Sequence, residues 1–202
     1  MSEFTIINDV SLEMRRRIFA AMNSASGVTL DFTDELTNIV LAPPQDTFGS
    51  GTLLSLYLYH VEINHSTRNQ QMLSQRGSAD SLRLPPLPLK LHYLATPVDD
   101  SEETNQLIIG RLLQLVYDNP SIGTIDNTPL GNSFGGAANH LRIIPDPLTV
   151  EQLSQLWNAF SQPLRLSMSF QVDVVAIDSS LAPKLAPRVV DVLSVSGVKE
   201  RD

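Results

Sequence analysis

The string Gly131-Asn132-Ser133-Phe134-Gly135 has the residue types and spacing of a serine-hydrolase nucleophile turn. In that chemistry a strained strand-to-helix turn lifts the serine hydroxyl, and an acid and a histidine later in the chain remove its proton. Here Thr128-Pro129-Leu130 is a poor strand before the turn, and Gly135-Gly136 is a poor helix after it. His140 is the only later histidine, and no carboxylate lies between Ser133 and His140. The string reads most simply as a flexible loop, and a small serine hydrolase using Ser133 stands as an alternative.

The remaining chemistry-bearing residues point the same way. The histidines are His60, His65, His92 and His140, and no pair has H-x-x-x-H or H-E-x-x-H spacing. The chain has no cysteine, which excludes disulfides, thiolate metal sites and a cysteine nucleophile. His60 and His92 fall inside strand patterns and read as hydrogen-bonded structural residues. Asp99, Asp100, Glu102 and Glu103 crowd together, but negative charge at a helix start meets unpaired N–H groups and the positive end of the dipole. Gly49-Ser50-Gly51 lacks the lysine of a phosphate loop, and no dinucleotide fingerprint is visible. The residues therefore give no catalytic, cofactor-binding or metal site.

The elements around these residues are clearer. Val10, Met14, Ile18 and Met22 recur every fourth residue, which predicts an amphipathic helix over 6–25, capped by Asn8 or Asp9 and ended by Gly27. Arg15, Arg16 and Arg17 fan around that helix and cannot form one flat patch. Val28–Phe32 and Asn38–Leu41 are short strand candidates. Leu53–Ile63 and Leu87–Ala95 are dense apolar strand patterns. The first is apolar at both parities, which predicts burial on both faces. Between them runs a polar arm, Asn64–Pro86, long enough to be functional rather than a plain connection.

A helix is expected from Glu102 to Tyr117 with Ile108, Leu112, Leu115 and Val116 inward, then a loop over 121–139 and a short strand over 140–144. Thr149 and Gln152 form a capping box for a helix to Phe160, whose buried side carries Leu153, Leu156, Trp157 and Phe160. Leu166–Ile177 alternates as a strand with one wet or partner-facing side. The order predicts an α+β fold, a mostly antiparallel sheet with packed helices. Residues 1–182 form the domain, and 183–202 form a Pro-containing linker and C-terminal extension.

Composition bounds the function. The net charge of -8 argues against nucleic-acid binding through a basic field. Charged residues make up only 18%, below the usual quarter, and interface cores are depleted in charge. From Ile18 to Thr67 there is no Lys or Arg, while the arm carries Arg68, Arg76 and Arg83 against Asp80 alone. A basic arm beside an acidic body suits pairing between identical subunits. Val189-Val190-Asp191-Val192-Leu193-Ser194-Val195 is too apolar for a solvated end. Arg68, Asn69, Arg76, Arg83, Val190, Val192 and Leu193 are thus the candidate interface residues. No secretory signal or membrane-length apolar run is visible.

Several strings combine into a likeness. They are Leu56-Tyr57-Leu58-Tyr59-His60-Val61 with Asn64 and Arg68-Asn69; Leu87-Pro88-Leu89 leading to Leu91-His92-Tyr93-Leu94; Leu107-Ile108-Ile109-Gly110-Arg111-Leu112-Leu113; and Pro147-Leu148-Thr149-Val150-Glu151-Gln152-Leu153-Ser154-Gln155-Leu156-Trp157. In this order, over about residues 5–180, the chain resembles the cap or tail-terminator proteins of phage-tail-like contractile injection systems, through a domain formerly of unknown function. The resemblance implies a non-enzymatic six-subunit ring without cofactors. It would close the distal end of the inner tube and engage the last sheath ring. Its partners would be itself, the tube protein and the sheath protein, with no nucleic acid and no membrane insertion. The particle would assemble in the cytoplasm. A monomeric peptide-binding adaptor that accepts a strand is the further alternative.

Overall fold

The computed structural model describes residues 4–25, 27–45, 47–64, 73–75, 78–130, 140–182 and 184–185. Helix α1 spans Ile6–Asn23. A single turn, α2 (Glu35–Asn38), leads directly into strand β1 (Ile39–Val40). Strand β2 (Leu54–Ile63) is followed by the short strands β3 (Leu73–Gln75) and β4 (Ser78–Arg83), then by β5 (Leu87–Pro97). Helix α3 (Glu102–Asp118) precedes β6 (Ser121–Ile122), β7 (Thr124–Ile125), β8 (Thr128–Pro129) and β9 (Leu141–Pro145). Helix α4 (Val150–Ala159), β10 (Met168–Ile177) and β11 (Lys184–Leu185) complete the order.

Six strands form the main sheet in the order β1-β2-β5-β10-β9-β6. Only the β1–β2 pairing is parallel; β2–β5, β5–β10, β10–β9 and β9–β6 are antiparallel. This is the α+β architecture that the element order predicts. Alternation along β5 sorts the two faces. Leu89, Leu91, Tyr93 and Ala95 point one way and meet Leu54, Leu56, Met168, Phe170 and Val172 in the main core. Tyr93 stacks on Phe170 with ring centroids 5.4 Å apart.

Helices α1 and α3 cover that face. Val10, Met14, Ile18 and Met22 are all buried, as their four-residue spacing predicts, and so are Ile108, Leu112 and Val116 of α3. The Tyr93 hydroxyl shares a 2.8 Å hydrogen bond with Ser11 of α1. Burial pushes the Tyr93 hydroxyl well above the ordinary tyrosine range, with the Ser11 bond opposing. Arg111 of α3 donates to Ala21 O at 2.9 Å and to Ser24 Oγ at 2.9 Å, so it satisfies a carbonyl at the end of α1.

Buried polar side chains lock the turns. Glu13, with its side chain only 8% exposed, accepts from Arg16 at 3.0 Å and from Arg17 at 2.7 Å. It also accepts from the backbone N–H of Asp126 at 3.4 Å. Asp126 and Asn127 both have positive φ, the conformation that a two-residue β7–β8 turn demands. Arg15 pairs with Glu35 of α2 at 3.0 Å. The three arginines that fan around α1 are thus all paired. Asn38 accepts from Thr33 and Asp34 N–H, each at 2.7 Å, and donates to Gly51 O at 2.7 Å.

Several local expectations change. Neither Asn8 nor Asp9 caps α1; Thr5 occupies that position, and its side chain makes no cap bond. Val28–Phe32 is not a strand; Asn38 binds the backbone of Thr33 and Asp34 just after it. Region 121–139 is not one loop; it contains β6 and the β7–β8 hairpin. The capping box at Thr149 and Gln152 is present as predicted. Ser101 caps α3, and Asp99 accepts from Ser101 N–H at 2.8 Å, so the acidic cluster serves the helix start.

The opposite face of the sheet carries α4. Phe160 meets Tyr57 edge-on at 5.7 Å and Trp157 at 6.0 Å. Trp157 is 1% exposed and buried, as expected, but in this smaller aromatic cluster and not in the main core. Leu153, Leu156 and Phe160 are only partly covered. Trp157 is therefore the anchor of α4. Trp157→Ala is expected to cost about 3–5 kcal/mol of stability in urea denaturation. A change under about 1 kcal/mol would show that α4 docks without it.

Candidate functional site

Strand β2 changes character along its length. Leu54, Ser55 and Leu56 are buried, but from Tyr57 onward burial falls, and His60, Val61 and Ile63 are exposed. Burial on both faces thus holds for its first residues and fails for the rest. The physical cause is coverage. Strand β1 pairs only with Leu54 and Ser55, and a register shift between Leu58 and His60 re-aims the strand just where cover ends. Beyond Ser55, no described strand pairs with the outer edge of β2.

The exposed half has two unlike sides. His60 and Glu62 share a side with His92 and Lys90, their cross-strand partners on β5. His92 is held from both ring nitrogens, Nδ1 to Asp146 at 2.9 Å and Nε2 to Glu62 at 3.4 Å. Lys90 lies 3.9 Å from Glu62, and the His60 and His92 rings are 5.3 Å apart. Tyr59 shares a 3.2 Å hydrogen bond with Ser169, and burial, countered by that bond, raises its hydroxyl above the ordinary range. The other side is apolar. Val61 and Ile63 are 41% and 38% exposed. An open groove of about 420 Å³ lies beside the strand, bounded by Ile7, Leu41, Leu56 and Leu58.

This arrangement holds groups in place more than it presents a reactive one. Both nitrogens of His92 face carboxylates, so neither faces a serine hydroxyl. His92 is a hydrogen-bonded residue of the strand pair, as its strand setting suggests, while His60 is exposed and packs against its ring. Among the described residues no group of three or more His, Asp or Glu side chains could hold a metal. Among them, too, no helix is long and apolar enough to cross a membrane.

The sequence-predicted interface residues lie mostly elsewhere. Arg68, Asn69, Arg76, Val190, Val192 and Leu193 are outside the described residues, as are Ser133 and His65. Arg83 ends β4, where it pairs with Leu73, and its side chain is not described. The arm is not a bare loop: β3 and β4 pair antiparallel, and Lys184-Leu185 add to β4 opposite Leu82 and Ser81. The expected linker thus contains a strand that joins the C-terminal region to the arm. Sequence reasoning missed the open edge of β2. Its only trace is the shortness of the apolar run before Pro43-Pro44, which limits β1.

This mixed α+β fold matches that of solved tail-terminator structures of contractile injection systems. The chain belongs to the family described as the Pvc16 N-terminal domain, which matches residues 10–191. Among solved structures it is similar to the PVC sheath/tube terminator of an extracellular contractile injection system in its extended state. The TM-score is 0.67 at 20% identity, over 99% of this chain and 66% of that one. It is also similar to the tube-terminating cap of the anti-feeding prophage, with TM-score 0.58, 19% identity, and 94% and 61% of the two chains. The chain therefore spans less than two thirds of either relative. No curated protein matches it.

Asp146→Asn tests the histidine clamp. Loss of the charged partner is expected to cost about 1 kcal/mol in urea denaturation, since the pair is only partly buried. The His92 ring should also gain mobility, read as broadened imidazole NMR signals. An unchanged midpoint and unchanged signals would show that Glu62 alone fixes the ring.

Proposed function

We propose that this protein is a structural cap. Six copies form a ring that closes the distal end of the inner tube of a contractile injection system and engages the last sheath ring. The observation that carries the reading is the match of 99% of the chain to a sheath/tube terminator at TM-score 0.67. Low charge content supports it, as does a β2 edge that no described strand pairs beyond Ser55. The role is non-enzymatic and geometric. A ring covers the unpaired interfaces of the last tube layer and offers its outer surface to sheath. Each contact can be modest, because a closed ring repeats it in every copy. The chain works without a cofactor, inside a particle assembled in the cytoplasm. Residues 1–182 supply the ring body, and 183–202 extend from it.

The arm is the proposed contact element, with Arg68, Arg76 and Arg83 meeting the acidic body of a neighbour or the tube. Mass measurement of the purified chain is expected to give a species near six times 22.2 kDa, and particles purified with the chain tagged should show it at one end only. A strict monomer absent from particles would overturn the cap. Replacing the three arginines with Glu is expected to weaken ring association at least 10-fold, with the thermal midpoint unchanged. Undiminished association would remove the charge pairing and leave the ring.

A further inference from the structure

We propose that the open edge of β2, from Leu56 to Ile63, accepts residues 189–195 of a second copy of this chain as an added strand. One edge of β2 is paired with β5 along its length, while among the described residues the other carries β1 only at Leu54 and Ser55. A long unpaired edge is a template for another chain, and proteins that must stay apart blunt it with charge, proline or cover. Here Glu62 is the only charged residue from Leu56 to Ile63, and there is no proline. Val61 and Ile63 are exposed, and a groove beside Leu56 and Leu58, lined also by Asn8, Ser11, Tyr57 and Tyr93, continues the same side. An incoming strand would gain backbone hydrogen bonds from the edge and apolar contacts from alternate side chains.

The donor is identified by sequence and by direction. Val189-Val190-Asp191-Val192-Leu193-Ser194-Val195 has the β-branched content of a strand and a single charge. Strand β11, just before it, runs antiparallel to β4. Strand β4 leads into β5 through Leu84–Pro86, so β11, paired Lys184 to Leu82 and Leu185 to Ser81, runs in the direction away from the start of β5. Residues 186–188 separate Leu185 from the donor, a link of about 10 Å if extended at about 3.3 Å per residue, so the acceptor edge must belong to a copy that lies against the arm. The second-copy half of this inference rests on the ring proposed above.

The chain has no cysteine, so an introduced pair reports alone. One full-length population carries Val61→Cys, at an exposed position whose change leaves the core intact. A second carries one Cys at each position from 189 to 195 in turn. The two are mixed, ring mass is measured, and the sample is oxidised. The expected result is a disulfide-linked pair of chains whose yield alternates with period two along 189–195. Rings of unchanged mass with no linked pair at any position would overturn the strand addition while leaving the cap reading intact. With both cysteines in one chain, closure within that chain and no linked pair would also overturn it, by showing that the segment returns to its own body. Monomers that give no linked pair would overturn both readings together.

Discussion

Strand β5 is the constraint on which the rest of the structure depends. It is paired on both sides, with β2 and with β10, from near the arm to the end of the sheet. Its alternation decides what each face can bury. A one-residue slip would turn Leu89, Leu91 and Tyr93 away from α1 and α3 and present Lys90 and His92 to them instead. The Tyr93–Phe170 stack and the Tyr93–Ser11 hydrogen bond reinforce the register from both sides of the core. Helix α1 can then bury its four-residue stripe only against this side of the sheet.

Around this centre, long polar side chains do what regular ladders do not. Glu13 ties α1 to the β7–β8 turn, Asn38 ties the segment before α2 to the turn at Gly51, and Arg111 closes the end of α1 from α3. Asn105 does the same at the start of α3, exchanging bonds of 3.1 Å with the backbone of Asp99. Each satisfies backbone groups that burial would otherwise leave unpaired. The irregular connections are fixed by these residues, so the sheet can afford few long loops near its helix-covered face.

Cover is withdrawn on the other side. Helix α4 reaches only the Tyr57 end of β2, through Trp157 and Phe160, and β1 stops after two residues. What remains is half a strand with a clamped polar side at His92 and an apolar side at Val61 and Ile63. The arm strands receive Lys184-Leu185. A chain that meant to stay alone would gain from covering this edge. A subunit of an assembly has reason to leave it open, which is consistent with membership of a terminator family.

The sequence by itself determined the elements whose signals are local. The four-residue stripe of α1, the capping box of α4 and the acidic start of α3 depend on neighbours within a turn or two. The likeness carried by the Leu-Tyr-Leu-Tyr, Leu-His-Tyr-Leu and Leu-Ser-Gln-Leu-Trp strings pointed to the same family that matches residues 10–191. Tertiary structure alone decided matters set by distant partners. It put Glu13 under the β7–β8 turn, 113 residues away, and His92 between Glu62 and Asp146. It made Val28–Phe32 irregular and gave the arm a third strand. It also decided that β2 is buried at one end and open at the other. Apolar composition states what a strand can bury, but burial depends on whether another element arrives to cover it.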